Sequence, residues 1–244
     1  MHTVLGLWLQ GNMDAVYFVY GFSFVLMGLA ILLQPREGSR LELSGVIWLL
    51  AAFALIHGAG EFLDMWGIIK GANPAVRFLS FEARVVSYLF LCEFGFEMLR
   101  ITAPLFSRRC PRYLSAAILL GVGTVFGATY NWQPANTATR YFLAFPTALL
   151  AGWSFLLYIK HEEETVTRLN LNRYFRIAAA TFAAYGIFAG LMVQPAPYFP
   201  ANWLNNDAFQ AAIGLPVQFF RALCAVVLTV CVVRILSIFG WEAH

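Results

Sequence analysis

The chain has 244 residues, 60% hydrophobic and only 12% charged, with a mean hydropathy of +0.69 and a formal net charge of +3. Soluble domains are nearer half apolar and a quarter charged, so the composition describes a bundle of membrane spans, each about 20 apolar residues long. Seven spans use roughly 140 residues, and the ~100 left for loops and ends cannot hold a soluble catalytic domain, which sets aside nucleic-acid binding, a Rossmann site and a soluble hydrolase.

The expected fold is all-α: one polytopic domain, 1–244, with apolar runs at 15–34, 44–69, 78–102, 113–130, 141–159, 174–193 and 209–235. Pro and Gly mark the joints, at Gly71-Ala72-Asn73-Pro74, Pro104, Pro111, Pro134 and from Pro195 to Pro200. The connections after the first, third and fifth runs, with the tail, hold eleven basic residues: Arg36, Arg40, Arg100, Arg108, Arg109, Arg112, Lys160, Arg168, Arg173, Arg176 and Arg234. The opposite side holds three, Lys70, Arg77 and Arg140. Cytoplasmic loops carry the excess of Lys and Arg, so the expected topology is N-out and C-in. The first run is not a secretory signal, because its basic residues follow it instead of preceding it. The cysteines Cys92, Cys110, Cys224 and Cys231 form no CxxC pair and read as small core residues. Gly123 with Gly127, and Gly186 with Gly190, have the small-xxx-small spacing of close helix contacts.

Ionisable groups at membrane depth are costly and face the bundle interior or each other. The second run carries His57, Glu61 and Asp64 in HGAGEFLDMW, at offsets of four and seven that share one helix face. The third carries Glu82, Arg84, Tyr88, Glu93 and Glu97, and the seventh Gln218 and Arg221. At about 1.5 Å per residue, His57 lies roughly 20 Å into its span and Glu61 about 25 Å. Arg84 is then about 9 Å down from the opposite side, Tyr88 about 15 Å, and Gln218 and Arg221 some 10–20 Å. His57, Glu61, Asp64, Arg84, Tyr88, Gln218 and Arg221 are therefore expected to line one polar pocket, for a small lipophilic ligand or cofactor, between the second, third and seventh spans. Glu93, Glu97 and Arg100 fall nearer the cytoplasmic side as a second polar group. Structural ion pairs, Glu61 with Arg84 or Arg221, are the competing account of the same charges.

His57 is the one histidine inside a run, which leaves open an axial haem ligand or a His57–Glu61 metal site in a redox membrane protein. A small transporter would use the same charges, although neither an inverted repeat nor paired broken helices is evident. Retinal needs a buried lysine, and Lys70 and Lys160 sit at loop edges, so no retinal is expected. The segment PAPYFPANWLNNDAF reads as an ordered cap over the outer end, and Pro216 as a kink in the last span.

Three strings, YGFSFVLMGLAILLQPREGSRLEL, HGAGEFLDMW and PAPYFPANWLNNDAFQAAIGLPVQFFRALCAVV, resemble the N-terminal seven-helix membrane sensor region of bacterial signalling proteins that carry PAS, histidine-kinase or diguanylate-cyclase modules. The resemblance implies a non-enzymatic input domain in the bacterial inner membrane, surrounded by lipid, whose seventh helix relays ligand occupancy to a cytoplasmic module fused after His244. It also implies a homodimer where that module is a kinase or cyclase. It supplies no ligand and no functional residues.

Overall fold

The computed structural model describes residues 4–35, 39, 41–71, 73–103 and 132–242. The expected fourth span, 113–130, lies outside these, together with Gly123, Gly127, Cys110, Arg36, Arg40, Arg108, Arg109 and Arg112. The secondary structure of the described residues is almost entirely helical, without strands. In chain order they form α1 (Val4–Gly11), α2 (Met13–Leu33), α3 (Leu43–Lys70) and α4 (Pro74–Thr102). Then come α5 (Trp132–Thr139), a π turn (Arg140–Ala144), α6 (Phe145–His161), α7 (Glu163–Arg168) and α8 (Asn172–Tyr185). A second π turn (Gly186–Leu191) precedes α9 (Asn206–Ile213), α10 (Val217–Ile235) and α11 (Ser237–Glu242).

Five stretches are long and apolar enough to cross a membrane: Met13–Leu33, Leu43–Lys70, Gln133–His161, Asn172–Leu191 and Val217–Phe239. The protein thus has the make-up of a helical, multi-pass membrane protein. The expected third span, α4, is 29 residues long but carries Arg77, Glu82, Arg84, Glu93, Glu97 and Arg100, which lower its hydropathy. The 28 residues of α3 measure about 42 Å, more than a hydrocarbon core of about 30 Å, so the helix either tilts or projects beyond it.

Packing runs in a ring, α2 on α3, α3 on α4, α4 on α6, α6 on α8, α8 on α10, and α10 back on α2. Large apolar side chains point outward from this ring, among them Phe18, Phe22, Leu26, Leu29, Trp153, Leu223 and Val230. Polar groups lie within it, including His57, Glu61, Ser87 and Arg221. An apolar exterior with the polar groups kept inside is the distribution that lipid favours. Lipid gives no hydrophobic drive for helices to associate, so close packing through small residues must hold them. Gly21 and Gly58 supply it between α2 and α3: a Cβ on either would stand under 3.0 Å from the other's carbonyl oxygen. Gly152 lies equally close to the Ala179 carbonyl. Across the two π turns, a Cβ on Gly190 would meet the Phe145 Cβ at 2.5 Å.

Proline chemistry explains the first π turn. Pro146, at the start of α6, has no N–H for an ordinary helical bond, and the Phe145 N–H reaches back five residues to the Arg140 carbonyl. The second ends the same way, with the Met192 N–H on the Ile187 carbonyl.

The last apolar run departs from expectation. Residues 209–235 are not one helix: α9 stops at Gly214, whose φ of +80° favours glycine, and α10 starts after Pro216. Pro216 is therefore the residue that precedes α10, not a kink within it. Residues 192–205 form an ordered segment, with the Asn206 N–H on the Val193 carbonyl, Asn205 Nδ2 on the Ala201 carbonyl, and Asn205 Oδ1 capping α9.

Candidate functional site

Two polar assemblies lie one above the other on the inner faces of α3 and α4. The lower is centred on His57, 2% exposed and ringed by Phe24, Phe53, Tyr88, Tyr20 and Tyr185 at centroid separations of 5.1–6.1 Å. Its Nδ1 is 2.9 Å from Ser87 Oγ, and Ser87 in turn donates to the Arg84 carbonyl at 2.8 Å. Its Nε2 is 2.8 Å from the Tyr185 hydroxyl, 3.2 Å from that of Tyr20 and 3.3 Å from Glu61 Oε1. The hydroxyls continue the network, Tyr20 to Tyr185 at 2.7 Å and Tyr185 to Tyr88 at 3.3 Å. Four helices, α2, α3, α4 and α8, thus meet through one imidazole.

Both ring nitrogens already have protein partners, so haem iron or another metal on His57 would have to displace tyrosine or serine hydroxyls from a packed aromatic cage. Among the described residues no group of three His, Cys, Asp or Glu side chains is placed to hold a metal ion.

The upper assembly surrounds a cavity of about 680 Å³. Its walls come from α2 (Tyr17), α3 (Asp64, Gly67), α4 (Arg77, Ser80, Arg84), α5 and its π turn (Gln133, Asn136, Arg140), the 192–205 segment (Gln194), α9 (Asn206) and α10 (Gln218, Arg221). It sits at the end of the bundle where α3 ends, α4 and α10 begin, and residues 192–205 cross. Gln133 ties that segment to α5 by donating to the Pro195 carbonyl at 2.8 Å.

Arg84 is held at 2.6 Å from Asp64 Oδ2 and donates to Asn136 Oδ1 at 3.1 Å, while Ser80 Oγ bridges to Asp64 Oδ1. His57 opposite Ser87, and Asp64 opposite Ser80, belong to one antiparallel register of α3 against α4. Arg140 and Arg221 are held differently. Arg221, 5% exposed, donates through Nε to the Phe188 carbonyl at 2.8 Å and through an Nη to that of Met192 at 2.7 Å. Arg140 donates to the Ala189 carbonyl at 2.6 Å. These carbonyls end a helix and have no partner within it, and positive charge is favourable at such a terminus. Among the described residues neither guanidinium forms an ion pair.

The seven residues expected in one pocket therefore divide. Asp64, Arg84, Gln218 and Arg221 line the cavity; His57, Glu61 and Tyr88 belong to the buried network beneath it. The pairs of the competing account, Glu61 with Arg84 or Arg221, are not the contacts seen: Asp64 takes Arg84, Glu61 lies 3.3 Å from the His57 imidazole, and Arg221 takes main-chain oxygens. Glu61 points along its own helix face to an imidazole one turn back, which leaves Arg84 to the longer reach toward Asp64. Glu93, Glu97 and Arg100 do form a group, with Arg100 3.0 Å from Glu93 and also bonded to Glu97. All three stand on α4 with partly exposed side chains, so this is an intrahelical ion-pair trio and not a second chamber.

Tyr20, Tyr185, Ser87, Asn136 and Arg140 were not foreseen. The signal for the tyrosines is a hydroxyl inside an apolar run, at 20 in 15–34 and at 185 in 174–193. Arg140 falls just before the expected run 141–159, with Pro134 reading as a joint, whereas α5 begins before that proline and carries on into the π turn. No family model, no curated protein and no solved structure matches the chain.

Proposed function

We propose that this protein is the membrane-embedded input domain of a bacterial signalling protein, seven-spanning with N-out and C-in topology in the inner membrane. It binds a small molecule in the cavity and reports occupancy through α10 to a cytoplasmic effector module. The observation that carries the reading is Arg221. It stands on the helix that leads to the chain's C-terminal end, lines the cavity, and holds the π turn of a neighbouring helix by two hydrogen bonds. A ligand that binds better when Arg221 releases that turn shifts the α8–α10 arrangement by its differential affinity. The cavity's volume is that of a small-molecule site, and its polar walls favour a ligand with a polar group over a purely lipophilic one.

The test separates relay from ligand identity. Spin labels at Lys160→Cys and Val233→Cys, near the far ends of α6 and α10, are compared with and without the cavity-filling substitution Val76→Trp in lipid nanodiscs, with native cysteines replaced. The reading expects the interlabel distance distribution to shift when the cavity is filled. An unchanged distribution, in a protein whose stability shows that the tryptophan is accommodated, refutes the relay.

A further inference from the structure

We propose that the ligand of this cavity is an anion, bound through a carboxylate or phosphate group between Arg140 and Arg221, with Arg77 at the mouth. This rests on the reading of the cavity as a ligand site and names the chemical class the site takes. Four arginines, Arg77, Arg84, Arg140 and Arg221, line the space, and Asp64 is the one carboxylate among the lining residues. That carboxylate is committed to Arg84 at 2.6 Å. Glu61, the nearest other acid on α3, is held at 3.3 Å from His57 and does not line the cavity.

Arg140 and Arg221 are thus charged, buried at least in part, and balanced only by carbonyl dipoles. Each guanidinium has five N–H donors. Arg221 uses two of its groups on Phe188 and Met192, and Arg140 uses one on Ala189, with no other acceptor among the described residues. Uncompensated charge in a membrane interior is expensive, and a fork of parallel donors matches the two oxygens of a carboxylate or phosphate. Gln133, Asn136, Gln194 and Gln218 add neutral hydrogen-bonding groups around the same space, suited to the remainder of a polar molecule. Arg77 is exposed and forms no ion pair among the described residues, and it places a further positive charge where an anion would enter.

A soluble anion and the phosphate of an anionic lipid share this chemistry. Isothermal titration of the full chain in a neutral detergent at low ionic strength, with succinate and inorganic phosphate as probes, addresses the first source. Native mass spectrometry of protein from nanodiscs of phosphatidylcholine, with and without phosphatidic acid, addresses the second. The expected result is binding in one arm that weakens with added salt and falls about tenfold or more in Arg140→Gln and Arg221→Gln. Because these two also cap the second π turn, so that their loss threatens the fold itself, Arg77→Gln, at an exposed position, is measured beside them and is expected to weaken binding severalfold at unchanged stability. Folded wild-type protein that binds neither probe nor phosphatidic acid overturns the assignment, as does binding that all three variants leave intact. Anion binding without a distance change on α10 would remove the sensory relay and leave this inference standing. A relay driven by an uncharged amphiphile, with no anion bound, would do the reverse.

Discussion

At the scale of single residues, the buried imidazole of His57 and the hydroxyl of Tyr185 each join α2, α3, α4 and α8. The Tyr185 hydroxyl touches His57 Nε2 and the hydroxyls of Tyr20 and Tyr88. Tyr185→Phe removes one polar atom; His57 and Tyr20 keep other bonds, but the buried Tyr88 hydroxyl loses its partner, so a loss of about 1–3 kcal/mol in detergent unfolding is expected. His57→Ala leaves Ser87, Tyr20, Tyr185 and Glu61 facing a void, and a larger loss of about 2–4 kcal/mol follows. Equal losses from the two substitutions would mean that the imidazole is not the hub. For Asp64 and Arg84 the discriminating quantity is the coupling in a double-mutant cycle of Asp64→Asn with Arg84→Gln. It is expected near 1–2 kcal/mol, short of the upper end of the roughly 0.5–3 kcal/mol seen for contacting pairs, because the Asp64 side chain is 28% exposed. Helical periodicity was enough to put His57, Glu61 and Asp64 on one face. It could not choose their partners, because residues at similar depth on α4 differ by a rotation that only packing sets. Tyrosine is an ordinary interfacial residue in membrane proteins, which hid the roles of Tyr20 and Tyr185.

At the scale of elements, the two π turns place the arginines, and the contact of Gly190 with Phe145 keeps the turns together. A methyl group on Gly190 would meet Phe145 main-chain and Cβ atoms at 2.5–2.8 Å, so Gly190→Ala is expected to cost more than about 2 kcal/mol. Gly45→Ala, in the first turn of α3 with nothing within 4 Å of the new atom, is the control, expected to be neutral or stabilising by up to about 1 kcal/mol. Thermal unfolding of both variants in the same detergent checks the contrast, and a Gly190→Ala protein as stable as wild type would show that the turns need no close approach. The spacing of Gly186 and Gly190 was visible in the sequence. The break between α9 and α10 was not, because Gly214-Leu215-Pro216 is embedded in an unbroken apolar run and hydropathy does not register backbone conformation. The π turns were equally hidden, since a proline near a helix start is ordinary and only the Phe145-to-Arg140 bond reveals the extra residue.

At the scale of the whole molecule, an apolar shell encloses a histidine network and, above it, a positively lined cavity open at one end of the bundle. Composition alone made a helical membrane protein legible, and the clustered charges made a polar interior legible. The division of that interior into two levels depends on how α3 and α4 rotate against each other, which charge spacing along one helix does not determine. The central claim is that water and solutes reach the arginine-lined cavity at membrane depth. The most direct test is thiol modification of Gln218→Cys in native membranes, with native cysteines replaced and the outward-facing Leu223→Cys as control. Small water-soluble thiosulfonates of opposite charge serve as reagents. The account predicts that Gln218→Cys reacts while Leu223→Cys does not, and that the anionic reagent reacts several times faster than the cationic one at low salt. A Gln218→Cys as inert as the lipid-facing control, or one that prefers the cationic reagent, would contradict it.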